Sequence, residues 1–326
     1  MIKNASLFSP PTKVDQYNSH MVMTNVTKPT QKKYLNIDTK YCDEYFHNSA
    51  DISNNVANYN ITLPQRIYDV KSIHVLNAEI PMTYFNISKT LGNSYFKVTF
   101  DLEPSITKVI FIPDGIYTID SLLTTINGLC SPRAEFQNYG FSFVFNPNNT
   151  KQIYINFYPS DYIIIDFSVN PDGIFDKYNF KNKLGWLLGF REPTIQVNGY
   201  NQAIITDPVV GYSYYAQNYY NLTGMKYLYL AIDEFTKGTQ DSFIAPISNA
   251  TISKNIITKI TLDNKTFPYG TILPANTKNG YLMDNKRTYN GNIDLQKINV
   301  QLLDENGNAV ALNDADFSFG LEIEYE

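Results

Sequence analysis

From Tyr34 to its end the sequence is a succession of short runs of aromatic and β-branched residues, separated by clusters of Asn, Asp, Gly and Pro. Residues 95–100 and 297–302 alternate with period two, so each is a strand that turns one face to a core. Residues 226–232 interleave Tyr with Leu and Ile, leaving both faces apolar or amphipathic, and are predicted to lie centrally in a sheet. Residues 141–145 and 152–157 flank the turn formers 146–150 and read as an antiparallel hairpin. A second hairpin is predicted from 300–303 through 304–308 to 309–312, with Asn306-Gly307 supplying the positive φ of its turn, and 317–325 alternate as a last strand. The best helix is short: Ile119, Leu122, Leu123 and Ile126 recur at helical spacing behind Thr118 as cap, with Gly128 expected to stop it. Because helices do not alternate with strands, the pattern predicts an all-β, antiparallel β-sandwich with one short helix rather than a parallel α/β sheet.

Size and charge bound the partners. A chain of 326 residues buries enough surface to need neither metal nor disulfide, and Cys42 and Cys130, 88 positions apart, fit a reduced and buried pair of thiols. Charged residues make up only 17%, whereas asparagine occurs 37 times, so the surface is polar chiefly through neutral amides and suits packing against neighbours. Residues 1–33 carry five lysines against Asp15, a net of +4, on a body of −9. This stretch, with three prolines and little apolar periodicity, is predicted to be an extended basic arm whose order comes from a partner chain. Its Lys28, Lys32 and Lys33 are expected to meet an acidic surface. No apolar h-region opens the sequence and no later stretch approaches the ~18 apolar residues of a membrane span, so a soluble chain made in the cytosol is expected.

His20, His47 and His74 have no second His or Cys at metal-ligand spacing, and no glycine-rich phosphate loop or Gly-x-Ser-x-Gly elbow is present. Two acid pairs, Asp233-Glu234 and Glu322/Glu324, fit a glycosidase in number, but the second pair is more simply the solvent side of the last strand. No catalytic, cofactor-binding or metal-binding residue is assigned, and the protein is read as a non-enzyme. The densest aromatic patch, residues 212–220, lacks the interleaved Lys and Arg of a single-strand nucleic-acid site. Its Tyr214, Tyr215, Tyr219 and Tyr220 are candidates for a protein contact, though the same tyrosines serve a sandwich core equally well. Trp186, in a run flanked by Gly185 and Gly189, is expected to be buried in close packing.

Five blocks in one order carry a family likeness. Residues 34–41 with 59–67 and 70–81, then 112–118, 183–191, 227–235, and finally 293–307 with 317–322, resemble the minor capsid and penton-type proteins of nucleocytoplasmic large DNA viruses, the giant viruses. The resemblance covers nearly everything after the arm. It implies a jelly roll over residues 34–326, with loop insertions near 193–220 and 265–287, a double roll being the alternative. It also implies a virion structural protein, a minor capsid component or a penton, assembled in the host cytoplasm into the virion capsid. Its partners would be major and minor capsid proteins in a homo-oligomer or mixed assembly. No nucleic acid is expected, and an internal viral membrane would lie near without being crossed. A virion-surface attachment module binding a host glycan or receptor is the second reading.

Overall fold

The computed structural model describes residues 29–41, 44–45, 57–100, 105–131, 141–157, 163–176, 180–197, 212–235, 243–247, 250–252 and 255–326. Along them run β1 (Gln31–Asp38), β2 (Glu44–Tyr45), β3 (Asn58–Pro81), β4 (Tyr95–Phe100), β5 (Ile106–Phe111), α1 (Ile119–Cys130), β6 (Phe141–Asn146), β7 (Asn149–Phe157) and β8 (Ile163–Asp166). There follow α2 (Leu184–Leu187), β9 (Thr194–Val197), β10 (Tyr212–Tyr215), β11 (Tyr227–Asp233), β12 (Ala245–Ile247), β13 (Ala250–Ile252), β14 (Ile256–Thr261), β15 (Ile272–Asn276), β16 (Lys286–Leu303) and β17 (Ser318–Tyr325). The architecture is all-β, built of curled antiparallel sheets, as the alternating runs predict.

The spine is β3, 24 residues long. The sequence blocks 59–67 and 70–81 join into this one strand, because the chain absorbs the break at Asp69 (φ 53°) as a bulge. Antiparallel neighbours flank it on both sides: β17 and β2 on one, β16 and β15 on the other. The sheet order is β1-β17-β3-β16-β11-β14, with β15 and β2 on β3. β14 is then bridged at Ile260 to Leu282, whose N–H reaches Asn276 O at the end of β15. The sheet thus curls until its far edge returns toward β3, and Ile73, Val75, Leu230, Ile260, Leu302 and Phe319 fill the space enclosed. β11 lies between β14 and β16 and has a second apolar layer, Tyr229 and Ala231 with Ala245 and Ile252, on its other face. This is the central, doubly covered strand that its Tyr/Leu pattern predicts.

Residues 95–216 build a second core between a four-stranded sheet, β5-β4-β8-β9, and a three-stranded one, β10-β7-β6. Aromatic rings dominate it. Phe96 stands edge-on to Phe143 at 6.1 Å, and Phe167 stacks on Phe190 at 5.7 Å. The predicted hairpin is β6 and β7, which pair Asn146 with Asn149 around Pro147-Asn148. Thr118 caps α1 as expected, in a capping box with Ser121, and Leu122, Leu123, Ile126 and Cys130 face the core. Gly128 does not stop the helix. α1 continues to Cys130, and its cap Ser131 is extended, as a residue preceding proline prefers.

The stretches 193–220 and 265–287 both contribute strands: β9 pairs with β8, β10 with β7, and β15 with β3. In the C-terminal hairpin, Asp304 accepts the N–H groups of Asn306 and Asn308, and the returning chain keeps only the Leu303–Ala309 bridge. Cys130 is buried; Cys42 lies outside the described residues.

Trp186 is only half-buried, which corrects the expectation of a buried indole. The glycine beside it takes the core position instead, since a Cβ on Gly185 would meet the Phe167 ring at 2.5 Å. The indole is left at the surface, edge-on to Phe180 and under the Arg191 guanidinium 3.9 Å from its centroid. Two glycine-to-alanine changes therefore have opposite signs. Gly185→Ala overpacks the core and is expected to cost about 1–3 kcal/mol in urea unfolding. Gly128→Ala, in the last turn of α1 with no atom within 4 Å of the new methyl, is expected to add about 0.5–1 kcal/mol.

Candidate functional site

Polar side chains cross the outer margin of the large sheet in a continuous row. β1 is the outermost strand and pairs along its whole length with β17, from Gln31 opposite Tyr325 to Asp38 opposite Ser318. Glu322 and Glu324 point to one face and each meets a cation, Lys32 on the adjacent β1 for the first and Lys286 on β16, beyond β3, for the second. Lys32 Nζ lies 2.9 Å from Glu322, and Lys286 Nζ lies 2.5 Å from Glu324, which also accepts the hydroxyls of Ser72 and Thr30. Those partners hold the Glu324 carboxyl down at about 2, and Lys32 holds that of Glu322 below its usual range. In the same row His74 Nε2 is 2.7 Å from Asp284.

The other acid pair divides. Asp233 turns its carboxylate back to the Phe235 N–H, while Glu234 is buried and accepts from Arg287 and from the Tyr289 hydroxyl, both at 2.6 Å. Arg287, itself buried, also donates through its two terminal nitrogens to the carbonyls of Ile232 and Asn255. Glu234, Glu322 and Glu324 are thus bound up in holding strands together. Among the described residues no group of three His, Cys, Asp or Glu side chains is placed to hold a metal ion.

The residues singled out for partner contact are dispersed. Lys28, like His20 and His47, lies outside the described residues. Lys32 and Lys33 stand on β1, the first paired to Glu322 and the second with its ammonium 5.5 Å from the Tyr325 ring. Tyr214 is a core residue whose hydroxyl donates to Glu192 at 2.9 Å, and burial with that carboxylate pushes it up to about 12. Tyr215 stacks on Tyr154 at 4.9 Å and Tyr220 packs edge-on to Phe145 at 6.3 Å. Tyr219 alone of the four is strongly exposed, at 58%.

Two features escape sequence reasoning. The chain passes from the curled sheet to the aromatic core through residues 82–94 and returns through 217–226, and beside these crossings lies an open cleft of about 550 Å³. Met82, Tyr84, Leu222, Met225, Leu262 and Tyr269 give it an apolar lining, and Lys226 and Lys265 stand among its lining residues as cations. Its walls are fixed: the Tyr84 hydroxyl donates to Asn264, Asn264 donates to Thr223 O at 2.8 Å, and Asn86 clasps the backbone of Tyr117. No local pattern marks the cleft, because it is assembled from separate segments, 82–86, 222–226 and 262–269, that only the fold brings together. The second is the turn 170–176, which exposes Ile174 and Phe175 at 64% and 61%. Its signal was present in the sequence, two large apolar residues directly after the turn formers Asn170-Pro171-Asp172-Gly173.

No family model matches the sequence, and no curated protein matches it. Among solved structures it is similar to the crystal structure of selenomethionine-labelled mavirus penton protein, at 12% identity and a TM-score of 0.39. That match covers 91% of this chain and 100% of the other. Among the described residues no helix is long and apolar enough to cross a membrane.

Glu234→Gln leaves the Arg287 guanidinium buried without its counter-charge, and a loss of about 3–5 kcal/mol is expected in equilibrium unfolding. The sheet margin has a pH signature. A carboxylate whose folded value is depressed contributes stability that is complete above its unfolded value, near 4.5 for Glu324, and is lost as pH falls toward about 2. Wild type should therefore exceed Glu324→Gln in stability at pH 7, and the difference should vanish when urea unfolding is repeated near pH 2.

Proposed function

We propose that this protein is a non-enzymatic structural component of a virion capsid, a minor capsid or penton-type subunit that works by holding its neighbours. The observation that carries the reading is where exposed apolar side chains stand: Tyr34 on the outermost strand β1, Phe111 on the edge strand β5, Ile272 on β15, and Ile174 with Phe175 on a turn. Large apolar groups on rigid edges and turns are the raw material of protein contacts. The engagement of Glu234, Glu322 and Glu324 by Arg or Lys supports the same reading, since it removes the carboxylates that paired-acid chemistry would use. The five sequence blocks that resemble minor capsid proteins fall on β1, β3, the turn into α1, α2, β11, β16 and β17, which form the skeleton of the fold.

In this proposal the basic arm, residues 1–33, whose last three residues open β1, reaches an acidic face of an adjoining major or minor capsid protein through Lys28 and Lys33. The subunit belongs to the virion, is assembled in the host cytoplasm, and can lie against an internal membrane without crossing it. Imaging of intact particles tests the reading by locating the subunit in the shell, at the fivefold vertex for a penton and elsewhere for a minor component. Removing residues 1–28, which spares the β1–β17 pairing, is expected to lower incorporation into particles at least tenfold while the purified variant keeps its unfolding midpoint. Incorporation at the wild-type level would show that the arm has no such role.

A further inference from the structure

Two apolar features with preset shape stand on the described surface. The turn 170–176 is locked by hydrogen bonds: Asn170 Oδ1 accepts the N–H groups of Asp172 and Ile174 at 3.0 and 2.9 Å. The Asn170 N–H donates to Ile174 O at 2.8 Å, and Lys97 Nζ holds Gly173 O at 3.3 Å. Gly173 takes φ +76°, and Val169 bridges to Phe175 across the base. The lock holds Ile174 and Phe175 outward, beside an exposed Asp172. Asp176, by contrast, is occupied by the buried Lys183 at 3.0 Å.

The cleft beside the two crossings is the second. Its volume falls in the range of roughly 300–1,000 Å³ that takes compact apolar groups. The carboxylate in its wall is already satisfied, since Asp263 accepts the N–H groups of Lys265 and Thr266 and the Tyr281 hydroxyl. Those donors hold its charge in place, with its carboxyl down at about 2. Lys226 and Lys265 are exposed, and neither ammonium group has an ion-pair or hydrogen-bond partner among the described residues.

We propose that Ile174 and Phe175 of one copy dock into this cleft on a second copy, with Asp172 set against Lys226 and Lys265. The apolar pair meets an apolar floor, the one uncommitted acid of the turn meets two uncommitted cations, and both surfaces are held in shape before they meet, so little ordering entropy is spent on docking. Turn and cleft share no residue. The contact is therefore heterologous, head to tail, and repeats from copy to copy into a closed ring or an open chain. This rests on the reading of the protein as a capsid subunit, and names one of its partners as itself.

Sedimentation velocity on the full chain over a range of concentrations tests it. Wild type is expected to associate reversibly, and Phe175→Ser, a change of an exposed side chain, to weaken association at least tenfold. The pair Lys226→Glu with Lys265→Glu is expected to weaken it about three- to tenfold, more at low salt than at high. A mixture of the two variants should form one-to-one heterodimers without growing further, because only one functional turn faces one functional cleft. A wild type that stays monomeric, or a Phe175→Ser variant that associates as wild type does, overturns the docking. Either result leaves the capsid reading intact if the chain is found in particles, whereas absence from particles overturns that reading whatever the association shows.

Discussion

The structure depends on the hydrogen-bonded pairing of β3, 24 residues long, with β16 and β15 along one side and β17 and β2 along the other. A strand rises about 3.3 Å per residue, so this one segment spans close to 80 Å and sets the long dimension of the large sheet. Its buried positions, among them Tyr59, Ile67, Val70, Ile73, Val75 and Ile80, are seats on which β16, β17 and β15 lay their own apolar faces. A register slip of one residue would turn all of these to solvent, and this penalty is what fixes the pairing. The bulge at Asp69 lets the strand bend without ending, which allows the sheet to curl around its core.

From the end of β3 the rest follows in order. The chain leaves the curled sheet at Pro81, builds the phenylalanine-rich second core, and comes back to start β11 in the middle of the first sheet. Long-range closure of this kind places residues 82–86, 222–226 and 262–269 side by side and creates the cleft. At the opposite margin the same sheet carries the ionic row of Lys32, Glu322, Glu324 and Lys286, where charges tie the N-terminal strand to the C-terminal one. Deep between β11 and β16, Arg287 and Glu234 do the same in the core, at a desolvation cost offset by four hydrogen bonds.

Much of the fold was legible because strand chemistry is local. The Tyr/Leu interleaving of residues 227–232 predicted a strand covered on both faces, and β11 is one; Thr118 with its apolar spacing predicted a capped helix, and α1 has that cap. The failures were of another kind. Gly128 looked like a stop signal, but no requirement for positive φ arises there, and the chain continues to Ser131 before Pro132. Trp186 looked like core, yet the position of closest approach belongs to Gly185, and the larger ring is displaced outward. Tyr214 and Tyr219 belong to one aromatic run, and only the folded chain puts the first in the core and leaves the second exposed.

By itself, then, the sequence determined the all-β class, the main strands, the helix cap and the basic character of the N-terminal stretch, because propensity, alternation, turn chemistry and charge are written in neighbouring residues. Tertiary structure decided which charges are spent inside the molecule, which aromatic rings remain free, and where an apolar cleft opens. Those outcomes depend on contacts between segments separated in the sequence, whose geometry is set by sheet register and curl and by no local pattern.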